Sequence, residues 1–307
     1  IVSHGLGDWC DYGDFAAGFS RNTPVALSAT AHYYYVATLT AQAATMLHLE
    51  SYEKKYRTLA ENIRWAFNNK FFDVDSKQYG TGSQASNAIP LFMGIVAPQH
   101  RQAALENLIK DIQAHGNRLT TGSVGNRYLY QALARSDCND VMYALHNHYD
   151  APGYGFQLKL GLTTLAEQWD PRKSASWNHF MMGQLEEWFF CSLAGITPDE
   201  KRPGFSHFCV APAPVAGLTY VKALHASPYG DVKVQWTSKD DALTLNLTVP
   251  VNATASVVLP DSEGADVLVN GEPWEKTPTI ARLDSVSLLV GSGEYTFRYC
   301  EKVDAEF

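Results

Sequence analysis

Apolar and polar positions recur with a helical period over residues 23–203, and they define two kinds of segment. Residues 23–49 are apolar almost all round, with Thr23 as a candidate N-cap and Pro24 at the first helical position. Residues 52–72 instead carry a single apolar stripe among charged neighbours. The first kind of helix is buried on most sides, whereas the second keeps one face in water.

The same order of a buried helix and then an amphipathic one recurs three more times along the chain. The recurring pairs are residues 83–95 with 98–116, residues 122–136 with 137–150, and residues 155–169 with 178–196. About eight helices in four pairs result, and alternation of inner and outer helices is the logic of an α/α toroid. A closed (α/α)6 toroid needs four more helices, so the sequence predicts only about four of its hairpins.

The pattern changes after Pro203 to short alternating or β-branched segments that are separated by turn residues. Such segments are residues 232–238, 243–249, 255–260 and 295–300. They predict an all-β module of about 100 residues, a β-sandwich. The sequence therefore predicts a multi-domain α + β protein, with a helical domain over residues 1–203 and a β-sandwich over residues 204–307.

Composition narrows the range of partners. The 307 residues are 46% apolar and 18% charged, so they can bury a sizeable core. The net charge is −8 and no basic run occurs, which argues against nucleic acid and anionic membranes as partners. No apolar run is long enough for membrane insertion, and the five scattered cysteines have neither zinc-site nor disulfide-framework spacing. The compartment stays open, because the chain begins with Ile1 and the start of the protein is not visible.

Glu167 is the first candidate for chemistry. It interrupts an apolar, threonine-rich run, and Trp177 and His179 follow soon after. At the end of an inner helix it would face the central cavity and could deprotonate a water molecule. The alternative is a helix-terminal glutamate that caps the helix or pairs with Arg172 or Lys173, and spacing alone does not choose between the two.

The segment GLGDWCDYGD at residues 5–14 is a second candidate. Asp8, Asp11 and Asp14 stand beside Trp9 between glycines, and carboxylates beside an indole suit a sugar, whose hydroxyls need acceptors and whose C–H face packs on a ring. The alternative is an aspartate-rich turn or a capped helix start.

His179 is a third candidate, because it follows Asn178 and both side chains can hydrogen-bond a sugar hydroxyl. The alternative is a histidine with structural partners in the core. The other histidines show no metal-ligand spacing, so no metal site is predicted. The segment TTGSVGN at residues 120–126 lacks a P-loop lysine and reads as a loop that enters a helix.

Seven segments together resemble one known family. They are GDW (7–9), TPVALSATAHYYYVA (23–37), SQASNAIPLFMGIV (83–96), TTGSVGNRYLYQAL (120–133), TTLAEQWD (163–170), SWNHFMMGQLEEWFFCSLAGI (176–196) and FSHFCVAPAPVAGLTYVKALHASPYGDVKVQW (205–236). In this order and spacing the chain resembles the C-terminal half of a glycoside hydrolase family 78 α-L-rhamnosidase.

The resemblance implies part of an (α/α)6 catalytic barrel followed by a C-terminal β-sandwich. It also implies inverting hydrolysis of terminal α-L-rhamnosides, with a rhamnose-containing glycan or glycoside as substrate and no cofactor. The glutamate of the family's Thr-Thr-Leu-x-Glu-x-Trp motif, the general base, is Glu167 here. His179 and Trp9 then contact the sugar, and Asp8 and Trp177 are further expected substrate-binding residues.

The chain departs from the family pattern in two ways. Ala166 and Gln168 stand where the family often has Trp and Arg, which puts the exact sugar in doubt. The family's general-acid motif is absent, so an upstream segment of the same protein is expected to supply it. Asp11 or Asp14 are less favoured as the acid, because both look like turn residues. An inverting hydrolase for another sugar and a non-catalytic glycan-binding protein are the alternatives.

Overall fold

The computed structural model of the chain describes residues 1–174, 176–240 and 242–300. The chain divides into two compact units, Ile1–Leu185 and Glu186–Phe307. The first unit is mainly helical and the second is built mainly from strands, in the order that the sequence pattern predicts. The predicted domain boundary between residues 203 and 204 stays a prediction.

Eight α-helices follow one another in the described residues, and α1 begins only after 24 residues of irregular chain. They are α1 (Val25–Met46), α2 (Glu50–Phe71), α3 (Gln84–Met93), α4 (Arg101–Ala114), α5 (Gly125–Ala134), α6 (Asn139–His146), α7 (Tyr154–Lys159) and α8 (Leu185–Trp188). A short hairpin of β1 (Phe72–Asp73) and β2 (Gln78–Tyr79) lies between α2 and α3.

The packing of the first six helices follows the predicted alternation. Helices α1, α3 and α5 pack on one another in turn, and each also packs on the helix that follows it in the chain, α2, α4 or α6. The amphipathic stripe of α2 is buried at Ile63, Phe67 and Phe71, while most of its charged positions are exposed. The inner helices α1, α3 and α5 thus form one packed row.

The fourth predicted helix pair is largely wrong. Among the described residues, only α7 and the short α8 are α-helical there, and α8 continues as a π-helix over Phe189–Leu193. Residues 160–174 and 176–184 are irregular apart from single 3₁₀ turns. Gly161 adopts a positive φ of 80°, and Pro171 follows shortly after, so a continuous helix cannot form. Glu167 therefore lies on an irregular segment and not at a helix end.

The described residues of the second unit form two sheets. Its strands are β3 (Ile196–Pro198), β4 (His207–Val210), β5 (Tyr220–Ser227), β6 (Gly230–Lys239), β7 (Ala242–Val249), β8 (Thr254–Val258), β9 (Leu268–Val269), β10 (Glu272–Pro273), β11 (Ile280–Arg282), β12 (Ser287–Val290) and β13 (Gly293–Cys300). One sheet has the order β10-β9-β13-β7-β6-β5 and the other β11-β12-β8-β4-β3. All neighbours are antiparallel except β4 and β8, which are parallel.

The core of the second unit joins both sheets, as a sandwich requires. Alternate side chains of β6, β7 and β13 are buried, and they meet buried residues of β4, β8 and β12 in one apolar cluster. Trp236 lies at its centre with no exposed surface, and its Nε1 donates a hydrogen bond of 2.7 Å to the Leu193 carbonyl oxygen. This indole therefore fills volume and satisfies a backbone acceptor at the same time.

Replacing Trp236 with Phe is expected to lower the free energy of unfolding of the second unit by about 1–3 kcal/mol, because the Leu193 carbonyl loses its donor. Hydrogen-exchange protection of the β6 and β7 amides measures the change. Trp65→Phe is the matched control, since Trp65 is 71% exposed. Equal protection in the two variants would contradict the role given to Trp236.

Candidate active site

The N-terminal ends of α1, α3 and α5 lie side by side and define one face of the first unit. Oγ1 of Thr23, just before α1, lies 2.8 Å from Oγ of Ser83, which caps α3. The Gln84 side chain in α3 then donates to the Arg118 carbonyl and accepts from the Thr120 N–H, both at 2.9 Å. These polar contacts join the segments that precede α1, α3 and α5 to one another.

Asp8 ties the first of these segments to the start of α5. It has no exposed surface, and its two carboxylate oxygens accept from the N–H groups of Gly122 at 2.8 Å and Gly125 at 2.6 Å. Burial raises the pKa of Asp8 to about 7, against the opposing effect of those two donors. The structure places Asp8 beneath the site, with no exposed surface to offer to a sugar.

Trp9 is fixed by the same loop. Its carbonyl oxygen accepts from the Ser123 N–H at 2.8 Å, and a Cβ atom on Gly122 would lie only 2.1 Å from that oxygen. Only glycine permits so close an approach. The Phe19 ring meets the Trp9 indole edge to face, with ring centroids 5.6 Å apart. Trp9 is therefore held both at its backbone and at its indole ring.

The Trp9 indole reaches Glu167. Its Nε1 lies 3.4 Å from Oε1 of Glu167, a long hydrogen bond that joins residues 158 positions apart. The alternative interpretation of Glu167 as a partner of Arg172 does not hold, because the Arg172 guanidinium binds both oxygens of Asp170 at 2.8 and 2.9 Å. The structure thus brings together the two residues that the sequence placed in one pocket.

Hydrogen bonds from two backbone N–H groups and from one indole hold the irregular segment around Glu167. The Glu167 N–H donates to the Ser176 carbonyl at 2.9 Å, and the Ala166 N–H donates to Oε1 of Gln157 on α7 at 3.1 Å. Two residues further on, the buried Trp169 donates from Nε1 to the Thr121 carbonyl at 2.8 Å. The loop that holds Trp9 therefore also anchors the chain next to Glu167.

Trp177 and His179 follow Glu167 closely in the chain. Trp177 is 55% exposed, and its Nε1 donates to the Pro171 carbonyl at 2.9 Å, so the indole is oriented although it faces solvent. The His179 N–H donates to the Leu165 carbonyl at 2.8 Å, which places His179 beside the run that ends in Glu167. Its ring Nδ1 is buried without a hydrogen-bond partner among the described residues.

The two remaining aspartates of the candidate segment at residues 5–14 differ in role. Asp11 is buried, and its Oδ2 accepts from the N–H groups of Arg21 at 2.8 Å and Asn22 at 2.6 Å, so it shapes the turn that leads into α1. Asp14 is exposed and lines a pocket. For Asp11, the alternative that the sequence analysis kept open, an aspartate in a turn, therefore describes the structure.

Sequence reasoning missed two groups that support the Glu167 segment, the Gln157 side chain and the Thr121 backbone carbonyl. Neither has a local signal, because each acts through a contact with a residue distant in the chain. The segment TTGSVGN was rightly assigned to a loop that enters a helix, and its glycines admit the Asp8 and Trp9 backbone.

Chemically, the arrangement offers an oriented carboxylate beside an indole N–H, a histidine and an exposed indole. A carboxylate that accepts one hydrogen bond keeps other lone pairs free for a water molecule. Within the described ranges, no group of three or more His, Cys, Asp or Glu side chains could hold a metal ion. In the same ranges, every helix is too short or too polar to cross a membrane.

The chain matches two family models. The bacterial α-L-rhamnosidase 6-hairpin glycosidase domain matches residues 1–193, and the bacterial α-L-rhamnosidase C-terminal domain matches residues 195–272. An α-L-rhamnosidase of Formosa agariphila is 27% identical over 97% of this chain and 34% of its own length. An α-L-rhamnosidase of Streptomyces avermitilis is 31% identical over 83% of this chain and 25% of its own length.

Solved structures are similar as well. The α-L-rhamnosidase from Dictyoglumus thermophilum superimposes with a TM-score of 0.85 at 29% identity, over 97% of this chain and 34% of that one. The Streptomyces avermitilis α-L-rhamnosidase complexed with L-rhamnose gives a TM-score of 0.84 at 29% identity, over 97% and 28%. The chain thus spans about a third of the length of the relatives it matches, or less.

Replacing Asp8 with Asn is expected to lower the free energy of unfolding of the first unit by about 1–3 kcal/mol, because one of the two buried N–H groups then faces an amide NH₂. Urea unfolding followed by hydrogen exchange of α5 measures the change. Asp14→Asn is the same substitution at an exposed position and serves as the control. The interpretation fails if both variants unfold alike.

Acidification is expected to destabilise the first unit through His146. Both of its ring nitrogens are buried without a partner among the described residues, and burial lowers its pKa to about 3. Between that value and the unfolded pKa of about 6.5, only the unfolded state gains the proton, so stability is full above pH ~6.5 and falls below it.

In His146→Phe this loss of stability on acidification disappears. It amounts to about 2 kcal/mol of unfolding free energy at pH ~5. Urea unfolding at neutral pH and at pH ~5 gives the difference, and the exposed His48→Phe is the control. An unchanged pH dependence in His146→Phe would contradict the assignment.

Proposed function

Because the chain belongs to the family of the bacterial α-L-rhamnosidase 6-hairpin glycosidase domain, we propose that it forms part of a glycoside hydrolase that releases terminal α-L-rhamnose. The observation that carries the proposal is the contact between the Trp9 indole and the Glu167 carboxylate, at 3.4 Å. It places the carboxylate of the rhamnosidase-like motif beside an aromatic wall, on the face where the inner helices begin. The natural substrate is then a rhamnose-containing glycan or glycoside.

The reaction that we propose is hydrolysis with inversion. Glu167 accepts a proton from a water molecule, and that water attacks the anomeric carbon on the face opposite the leaving group. Inverting hydrolysis needs a second carboxyl group about 6.5–9.5 Å away, which protonates the leaving oxygen. An upstream segment of the same protein supplies that acid, and no cofactor takes part.

Each remaining site residue has a proposed role that follows from its position. Trp9 and Trp177 offer ring faces to the sugar, and His179 contacts the sugar from its place beside the run that ends in Glu167. Asp8 acts through Trp9 as a positioning residue, because its carboxylate is bound by the loop on which the Trp9 backbone rests.

The general acid is better sought outside the candidate segment at residues 5–14. Asp8 and Asp11 are buried and engaged by backbone N–H groups, so neither can donate to a glycosidic oxygen in this arrangement. Asp14 is exposed and lines a separate pocket. These positions favour the upstream segment over either aspartate.

A hydrolase for another sugar is the alternative that one observation favours. Gln168 lines a small cavity next to Glu167, at a position where the family often has Arg. Loss of a fixed positive charge there changes which hydroxyl pattern or acidic group the site accepts. A non-catalytic glycan-binding protein would keep the same pocket without turnover.

Glu167→Gln is expected to reduce rhamnose release from an aryl α-L-rhamnoside by about 100-fold or more, because the amide cannot accept the proton of the attacking water. An aryl leaving group needs little acid assistance, so the assay suits this chain as well as the longer protein. The exposed Glu61→Gln on α2 is the matched control. NMR of the first-formed rhamnose reports inversion or retention.

Azide sharpens the experiment, since it attacks without a general base. In Glu167→Gly it is expected to restore turnover and to yield a rhamnosyl azide of inverted configuration. Full activity of Glu167→Gln, or a first product of retained configuration, would overturn the role of Glu167. Release of another sugar from a panel of aryl glycosides, with none of rhamnose, would favour the alternative hydrolase.

A further inference from the structure

Two side chains of the short helix α7 each hold a different part of the candidate active site. Tyr154 and Gln157 are three residues apart, so they lie on the same face of the helix. Oε1 of Gln157 accepts from the Ala166 N–H at 3.1 Å, and the Tyr154 hydroxyl donates to the Met182 carbonyl at 2.5 Å. The first bond lies next to the proposed base, and the second lies in the turn that follows the sugar-contacting histidine.

The end of α7 turns the chain back toward Gln157. The Leu162 N–H donates to the Gln157 carbonyl at 3.1 Å, and the Gly161 N–H donates to the Leu158 carbonyl at 2.9 Å. With the positive φ of 80° at Gly161, these two bonds form a Schellman motif, which ends the helix. The Gln157 side chain then meets the chain again at Ala166. Gln157 is thus bonded twice to the run that leads to the proposed base.

The start of α7 is fixed against the segment before it. A Cβ atom on Gly155 would lie only 2.0 Å from the His148 carbonyl oxygen, an approach that only glycine permits. The His148 ring is bonded in turn, since its Nε2 lies 2.9 Å from the carbonyl oxygen of Leu145 in α6. Helix α7 is therefore anchored to the end of α6, which gives its two polar side chains a fixed support.

The bond between Ala166 and Gln157 is enclosed. Ala166 has no exposed surface, and Gln157 is only 3% exposed. Loss of the Gln157 oxygen would leave a buried N–H group without an acceptor, and bulk water does not reach that position to replace it. The chain one residue before Glu167 would then lose the bond that holds it to α7.

Tyr154 is held at its ring as well as at its hydroxyl. The ring meets the Trp169 indole edge to face, with centroids 5.2 Å apart, and lies 5.5 Å from the His146 ring. Burial raises the pKa of Tyr154 to about 12, so the phenol keeps its proton and donates it to the Met182 carbonyl.

The segments that carry Glu167 and His179 are also bonded to each other. The Glu167 N–H donates to the Ser176 carbonyl at 2.9 Å, and the His179 N–H donates to the Leu165 carbonyl at 2.8 Å. The His179 carbonyl accepts from the Met182 N–H at 3.3 Å, which joins the histidine to the turn that α7 holds. The two side chains of α7 therefore bind two segments that are paired above them.

We propose that Gln157 is a positioning residue for Glu167 and that Tyr154 is one for His179. Helix α7 then sets both the orientation of the carboxylate and the position of the histidine ring. The consequence for catalysis rests on the proposed function, whereas the placement of the two site residues by α7 does not. Each α7 residue acts through the residue that it holds, so the effects on turnover and on sugar affinity are separable.

The first test needs no substrate. The Trp9 indole N–H contacts Glu167, so its resonance in a ¹H–¹⁵N spectrum of the full chain reports where that carboxylate lies. Gln157→Met has a side chain of equal length without an oxygen, and it is expected to shift the Trp9 resonance toward its position in Glu167→Gly. The Trp65 and Trp236 indole resonances are expected to stay in place. Tyr154→Phe is expected to shift the ring C–H resonances of His179.

Kinetics and binding then separate the two roles. On an aryl α-L-rhamnoside, Gln157→Met is expected to lower kcat by about 10–100-fold, as a misplaced base would, and to leave L-rhamnose affinity unchanged. Tyr154→Phe is expected to weaken L-rhamnose binding about fivefold to tenfold in calorimetry, which corresponds to one weakened hydrogen bond, with a smaller change in kcat.

Azide distinguishes positioning from a merely structural role. Azide-dependent turnover in Glu167→Gly does not use the base, so the added Gln157→Met change is expected to leave its rate unchanged. Ile63→Val, at a buried position of α2, lowers the stability of the first unit away from the site and is the first control. Gln113→Met, the same change at an exposed position of α4, is the second. Neither control is expected to alter the Trp9 resonance or kcat.

The outcomes separate this inference from the proposed function. If the wild-type chain releases rhamnose but Gln157→Met leaves the Trp9 resonance or kcat unchanged, the inference is refuted and the proposed function stands. Equal changes in Ile63→Val, or a lower azide-dependent rate with Gln157→Met, would also refute it. If the wild-type chain neither binds nor releases rhamnose while both sets of resonances shift as expected, the positioning by α7 stands and the proposed function falls.

Discussion

The candidate site depends on one buried carboxylate. Asp8 accepts hydrogen bonds from Gly122 and Gly125, and this joins the segment before α1 to the start of α5. The N–H groups at a helix start have no partner within the helix. A carboxylate there accepts hydrogen bonds from donors that would otherwise be buried without an acceptor. Because Trp9 is the next residue, the same two bonds hold its backbone in place. Removal of the Asp8 carboxylate would loosen the segment that carries Trp9, whose indole contacts Glu167.

The loop at residues 121–125 extends this constraint to the other half of the site. It accepts a hydrogen bond from Trp169 at the Thr121 carbonyl and donates one to the Trp9 carbonyl from Ser123. The chain segments that carry the Trp9 indole and Glu167 are therefore both hydrogen-bonded to the same short piece of backbone. Such shared anchoring keeps the geometry between Trp9 and Glu167 although neither lies on a helix. The pocket that Asp14 lines borders the same arrangement through Thr120.

Sequence patterns predicted most of the fold but less of the site. Alternation along β6, β7 and β13 predicted the sandwich, because a strand with one buried face must repeat every second residue. The helix predicted over residues 155–169 was wrong beyond Lys159, since its apolar composition resembles that of a helix while Gly161 bends the backbone away. Glu167 and Trp9 were placed in one pocket through the resemblance, whereas the support from Gln157 arises only in the folded chain. The pocket that Asp14 lines could not be predicted, because Asp14 and Arg118 meet there from distant parts of the sequence.

The long separations within the site also set the order in which the first unit can assemble. The Trp9–Glu167 contact closes 158 residues of chain, and the two bonds of Asp8 close 114 and 117. Closing such loops costs conformational entropy that local helix formation does not repay, so these contacts form after the inner helices have docked. The site is thus among the last parts of the first unit to become ordered during folding. Its indole–carboxylate contact would serve as a late reporter of folding, silent in any intermediate that has its helices but not yet their common face.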